Sequence, residues 1–398
     1  MSVRRIEEEQ LGWLPGLSPD DLPHPLPAGL TLYNRQGQVG LRARGVVGTM
    51  PLGNGETLQI VPKVGQANFL RMLYRALGAH QVLDRQFEDF ARYSESDEAT
   101  VSNLAARQLA LRARDIMKLG ATITRSPVIR RGRAVEGQLI PDQTALAVAR
   151  RDHLPVVNRV RERHRSTPEN RMVRDALHAA SRILPKSEAE SVGRIARTWE
   201  QRVTRERMRP RDISVVQERL ARKQFGGPRD YYQPAVVAAM IVLGIVGVAT
   251  ERDVTVEGDA HLLDSALVFE SYLREVVKES LGPQGYYVGK SGRTPRSLYL
   301  SGRFGLEPDI VIERDQHTIL IADAKYKRPD SGDHYQLLSY LRAHDLKAGM
   351  LLSPAYEGEA LALETERTPD GYRCITIGLP LDDPIASEGF LAGILDHI

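Results

Sequence analysis

Cysteine is all but missing: among 398 residues only Cys374 carries a thiol. One thiol closes no intramolecular disulfide and cannot build a cysteine-based zinc site, so a reducing, cytoplasmic setting is expected. Long apolar runs are missing too. The longest, over 234–249, is 16 residues broken by Gly244 and Gly247, short of the roughly 20 that span a bilayer, so a buried helix is expected and no membrane partner. The first ten residues place Arg4, Arg5, Glu7, Glu8 and Glu9 where an export signal needs an apolar stretch. No internal repeat or low-complexity tract is visible.

What is present is an ordinary globular composition. With 42% apolar and 26% charged residues, the chain is neither disordered nor collagen-like, and it can build a core. Its length predicts two or three domains. The net charge of +3 hides a segregation: residues 101–230 hold 29 Lys+Arg against 14 Asp+Glu, leaving −12 on the remainder. A basic face binds a polyanion by counterion release, and nucleic acid is the obvious candidate. Nearly all of these cations are arginines, whose forks match phosphate bidentately; Arg159, Arg161, Arg163 and Arg165 are the candidates for contact with DNA or a partner. The same residues could equally be solvated faces of a chain rich in arginine.

Alternating apolar residues over 29–33, 38–43 and 58–61, with turn formers between them, predict a small β-rich unit within 28–63. Helical spacing follows over 68–77 and 98–119, then a strand over 137–140 and a helix over 167–184 with Thr167 as N-cap and Pro168 at its first position. Residues 185–229 read as charged, exposed helix, with a domain boundary between about 225 and 255. The last third reads as helix 262–281, strands 284–288, 298–300, 306–312 and 318–324, helix 331–344 and strand 348–352.

The chemistry concentrates in Leu306-Glu-Pro-Asp309-Ile-Val-Ile312, a polar turn over 313–317, and Thr318-Ile-Leu-Ile-Ala-Asp323-Ala-Lys325. Two apolar strands around a polar turn form a hairpin, whose antiparallel pairing brings Asp309 and Asp323 to one end. Asp323 and Lys325, two apart, share a face. Two carboxylates and an ammonium on apolar strands need something to offset the like charges, and a hard divalent cation with oxygen ligands does so. Mg2+ is the expected ion, with Mn2+ as an alternative. Such an ion can generate a nucleophile from water and stabilise charge on a phosphate, which is phosphodiester hydrolysis. The competing reading is two exposed aspartates on a surface hairpin.

Pro308-Asp309, thirteen intervening residues and Asp323-Ala-Lys325 resemble the PD-(D/E)xK nuclease motif. That resemblance implies that a glutamate on the preceding helix, here Glu270, completes the metal site together with the Ala324 backbone carbonyl. Glu270 could instead only pair with Arg274 at i,i+4. Gln336 on the following helix is expected to reach a DNA phosphate or base edge, or to be an ordinary helix-surface amide.

A closer resemblance rests on Asp323-Ala-Lys-Tyr-Lys327 with His334-Tyr-Gln-Leu-Leu-Ser-Tyr340, the Phe269-Glu270 helix, Gly137-Gln-Leu-Ile140, Thr167-Pro-Glu-Asn-Arg171 and Ile60-Val-Pro-Lys63. Together these look like the McrC family, over about residues 28–390. The resemblance implies an α/β multi-domain fold: a partner-binding region over 1–225, β-rich then mostly helical and basic, and an endonuclease domain over 226–398 with a mixed sheet flanked by helices. It further implies an antiviral restriction role. The chain would cut double-stranded DNA carrying modified bases when bound to an McrB-like AAA+ GTPase hexamer, whose GTP hydrolysis it would stimulate. Two copies would be needed for a double-strand break. The chain has no P-loop of its own, because Gly285-Tyr-Tyr-Val-Gly289-Lys290-Ser291 has three residues between the glycines where four are required. The alternatives are a stand-alone nuclease of repair or recombination, and a non-catalytic DNA-binding adaptor of an AAA+ motor.

Overall fold

The computed structural model describes residues 3–78, 100–222, 224–225, 227–245, 261–355 and 361–397. The first residues of the helix expected over 98–119, the end of the apolar run at 246–249, and part of the expected boundary near 225–255 lie outside them. Two compact units result: residues 1–105 with 244–398, and residues 106–243. This division differs from the sequential one expected near residue 225, and the cause is a strand that returns late. His261–Asp264 pairs antiparallel with Val46–Pro51, closing a four-stranded sheet in the order Val3–Glu7, Thr57–Val61, Val46–Pro51, His261–Asp264. No helix among the described residues is long and apolar enough to cross a membrane.

In the first unit that sheet and a three-stranded one (Leu11–Leu14, Gln38–Ala43, Leu30–Arg35) bury Ile6, Leu14, Val39, Leu41, Met50, Leu58 and Ile60 between them. A six-stranded mixed sheet runs Tyr287–Gly289, Ile310–Arg314, His317–Ala324, Ala348–Pro354, Arg373–Leu379, Ala362–Arg367. Its middle strands are parallel, and parallel neighbours need a crossover, supplied here by the helix Ser331–His344. Leu337, Tyr340 and Leu341 of that helix pack on Val311, Ile321 and Leu351. All seven residues of Ala348–Pro354 are buried, as befits a strand covered on both faces. Gly349 lets the helix come close, since a Cβ there would meet Leu341 Cδ2 at 2.8 Å and the Ile321 carbonyl at 3.1 Å.

The hairpin forms with Ile310 opposite Ala322, but its turn is tighter than expected. Asp315 and Gln316, both at positive φ (51° and 68°), make a two-residue connection matched to the strand twist. The strand expected over 306–312 is split into Gly305–Leu306 and Ile310–Arg314, because Pro308 has no N–H to give a ladder. Residues 298–300 form an exposed turn instead of a strand. The helix expected from 262 starts at Ser265, capped by the Asp264 carboxylate, which accepts from Leu267 N at 3.0 Å.

In the second unit the helix Pro168–Ile183 is the centre. Asn170 is fully buried: its amide donates to the carbonyls of Thr122 (3.0 Å) and Arg165 (2.7 Å) and its side-chain oxygen accepts from Tyr232 Oη at 2.8 Å. Arg171 grips Asp212 with two hydrogen bonds of 2.8 and 2.7 Å. Thr167-Pro-Glu-Asn-Arg171 is thus the polar core of this unit. The apolar helix Tyr232–Val242 packs there, with Tyr232 and residues 234–242 buried. The basic middle is mostly helical, as expected, but it also holds strands: Thr124–Gly132 and Val156–His164 form a long antiparallel ribbon joined by Gln138–Leu139.

Candidate metal-dependent hydrolytic site

At the open end of the hairpin Asp309 and Asp323 stand side by side, 7% and 1% exposed. Asp309 Oδ2 accepts from the Ala324 N–H at 2.9 Å, and the Arg274 guanidinium donates to the Asp309 carbonyl at 3.0 Å. Arg274 therefore serves Asp309 and does not pair with Glu270. Lys325 Nζ lies 2.8 Å from Asp323 Oδ2, an ion pair whose angle falls outside hydrogen-bond geometry and leaves that oxygen without a hydrogen-bond donor. The same ammonium donates to Gln336 Oε1 at 2.9 Å and is 3.4 Å from Asp333. Gln336 in turn donates to Tyr340 Oη at 2.6 Å. Asp309, Asp323, Lys325 and Gln336 are brought together as expected from the sequence.

Burial, and then the charge of the neighbouring Asp309, pushes the Asp323 carboxyl up to about 7. Burial, followed by Glu270, also raises Asp309. Burial opposes the charge on Lys325, but the close negative charge of Asp323 outweighs it and raises the ammonium above its ordinary value. Such a lysine stays protonated at neutral pH and acts as a fixed positive charge.

Glu270 reaches the site from the helix Ser265–Leu281, whose other face buries Phe269, Leu273 and Val276. Its partner is a residue that the sequence had pointed to only as part of an incomplete phosphate loop. Lys290 Nζ lies 3.4 Å from Glu270 Oε2 and 3.7 Å from Asp309 Oδ1, so one ammonium bridges the two carboxylates. No three His, Cys, Asp or Glu side chains among the described residues converge as a metal-holding group. The donor set fits Mg2+ nonetheless, because that ion keeps several waters and needs only one or two carboxylates. Asp323 supplies an oxygen without a donor, and Asp309 supplies one that already faces a cation. Ala324 takes part through its N–H to Asp309.

The four arginines are all exposed. Arg159, Arg161 and Arg163 are exposed and, by strand alternation, share one face of the ribbon opposite Ile129, Pro127 and Arg125. Arg165 lies beyond the strand, where it donates to the Arg202 carbonyl at 2.7 Å.

A family model described as McrBC 5-methylcytosine restriction system component matches residues 41–354. No curated protein matches. A solved structure, the refined half-complex from the tetradecameric assembly of Thermococcus gammatolerans McrB AAA+ hexamers with bound McrC, has a chain that aligns over 100% of both chains at 15% identity with a TM-score of 0.64. The Thermococcus gammatolerans McrBC complex aligns over 70% of this chain and 88% of that one, at 15% identity and a TM-score of 0.46. The family match spans both compact units and includes Asp309, Asp323, Lys325 and Gln336. The chain therefore belongs to the McrBC family of 5-methylcytosine restriction system components.

Proposed function

We propose that the chain is the Mg2+-dependent DNA endonuclease subunit of a McrBC-type restriction complex, acting in the cytoplasm on double-stranded DNA with modified bases. The observation that carries this reading is the pairing of Asp309 and Asp323 at one strand end, with Lys325 held between Asp323 and Gln336. When bound by Asp309 and Asp323, with the Ala324 carbonyl and Glu270 as further oxygens, a divalent ion would activate water and offset phosphate charge. The chain's own residues do the rest. Ala324 N–H fixes the Asp309 carboxylate, and Gln336 fixes the Lys325 ammonium. Lys325 then orients the water and stabilises the charge that builds on the phosphate. Gln336 keeps its Nε2 on Tyr340, so its contribution is to aim Lys325, with a DNA contact as a second duty.

An AAA+ GTPase partner is supported by the family and by the absence of a P-loop from the chain. It is supported too by the related assembly, in which McrC is bound to McrB AAA+ hexamers. In this reading the exposed arginines Arg159, Arg161 and Arg163 contact the partner or DNA, and the chain raises the partner's GTP turnover. One centre hydrolyses one strand, so a double-strand break takes two copies. The test is cleavage of methylated duplex by the chain alone, with the partner, and with partner and GTP, for wild type and Asp323→Asn. Cleavage only in the complete wild-type mixture is expected; cleavage by Asp323→Asn would reject the active site, and full cleavage by the chain alone would indicate a stand-alone nuclease.

A further inference from the structure

Between Lys290 and Asp309 the chain leaves the site and comes back to it. Ser291 N–H donates to the Pro308 carbonyl at 3.0 Å, so the two ends of this excursion are tied together beside the catalytic aspartate. In between, Arg296–Ser297 pairs with Gly305–Leu306 as a small hairpin, closed by Leu298 N to Phe304 O at 2.9 Å. Residues 290–306 contain Lys290, Arg293, Arg296 and Arg303 and no acidic residue. The three arginines are exposed and make no ion pair with a described residue. The tip carries large apolar groups in water: Tyr299 and Phe304 are 55% and 63% exposed, and Leu300 is completely so. Tyr299 and Phe304 are 6.0 Å apart at their ring centres, with the Arg303 guanidinium 5.3 Å from the Phe304 ring.

Such a segment is costly to leave in water, and its three arginine side chains find no acidic partner among the described residues. Its charge complements a polyanion, and its anchor fixes where that polyanion must lie. We infer that the hairpin Arg296–Leu306 grips the substrate duplex beside the scissile phosphate, Arg296 and Arg303 taking backbone phosphates and Leu300 wedging against the groove. This rests on the nuclease reading above. Apolar wedges flanked by arginine suit a groove because the apolar tip displaces water while the cations hold the backbone. A second copy of the chain is the other occupant an exposed leucine could have, and the test separates the two.

The measurement is anisotropy of a labelled duplex with the full-length chain in EDTA, from 50 to 200 mM salt, beside sedimentation of the free chain. Replacing Arg296→Ala with Arg303→Ala should weaken binding about tenfold and flatten the salt slope by about two, one per phosphate contact. Leu300→Asp should weaken it comparably. The double Arg→Lys variant should keep the wild-type slope, which a merely structural role would not require. Wild-type affinity and slope in both the Ala pair and Leu300→Asp overturn the inference. So does a dimer that Leu300→Asp dissociates without changing DNA affinity. No duplex binding by wild type would overturn this inference, as would binding that the variants share unchanged, whereas the nuclease reading stands or falls with the cleavage assay of the complete mixture.

Discussion

The ammonium of Lys63 rests 3.8 Å from the centre of the Tyr326 ring and donates to the Tyr326 carbonyl, one residue past the Lys325 that faces Asp323. Lys63 N–H also donates to Glu8 Oε2 at 3.3 Å, and the other Glu8 oxygen accepts from Ser265 Oγ at the start of the Glu270 helix. Burial pushes the Lys63 ammonium down and the Glu8 carboxyl up. The small N-terminal sheet is thereby a support of the site in its own unit.

Lys63→Met should lower stability by about 1–2 kcal/mol, because it removes the donor to the Tyr326 carbonyl and a positive charge near the buried Glu8 carboxylate. Urea unfolding measures this, and adding Glu8→Gln should recover part of the loss. Equal losses in the single and double variants would contradict the coupling.

Asp323 governs a pH dependence whose sign is fixed by its position. Its folded-state value of about 7 lies above the ordinary 3.8, so the folded chain holds the proton more tightly than the unfolded one. The stability this contributes is complete below about pH 4 and is lost as pH rises through about 7. Without metal, Asp323→Asn should therefore melt several degrees above wild type at pH 8 and near it at pH 5. Divalent ions compete with that proton, so Mg2+ binding by wild type should strengthen between pH 6 and 8, read by calorimetry.

Lys290→Met leaves Glu270 and Asp309 facing each other without their shared ammonium. The metal-free protein should then melt lower, and Ca2+ should bind on the order of tenfold more tightly, since one competing positive charge a few ångströms away is gone. Titration of Ca2+ against melting temperature checks this; unchanged affinity would make Lys290 a bystander.

Lys325→Ala should remove cleavage by about 10²-fold or more while Mg2+ affinity stays within a few-fold, because an ammonium is no ligand. Gln336→Ala should cost less, since Asp323 and Asp333 still hold the ammonium. Cleavage by the complex with GTP gives the rates, and calorimetry the affinities.

The hairpin was legible because two short unbroken apolar runs around a polar turn dictate the strands, and pairing then dictates which carboxylates meet. Ser331–His344 was equally plain, with Asp330 accepting from the N–H groups of Gly332 and Asp333 at its N-terminus. Lys290 was not, because its role depends on a strand, Tyr287–Gly289, pairing with Ile310–Arg314, and no local pattern announces which lysine will face a distant glutamate. The arginine ribbon was hidden for a related reason: its strands carry charged residues among few apolar ones, so they lack the apolar alternation by which strands are recognised. The late strand His261–Asp264 escaped because four residues running into a helix read as its first turn.

Lys63 and Tyr326 are 263 residues apart in sequence, and the edge strand His261–Asp264 is likewise remote from its partner. On a ribosome adding roughly 5–20 residues per second, such a delay amounts to between about ten seconds and a minute. Over that interval Val46–Pro51 waits as an unpaired edge, while residues 106–243 have everything they need to fold. A newly made chain thus holds all of residues 106–243 before the strands beside Asp309 and Asp323 exist, and the candidate site can assemble only after Lys325 has been added.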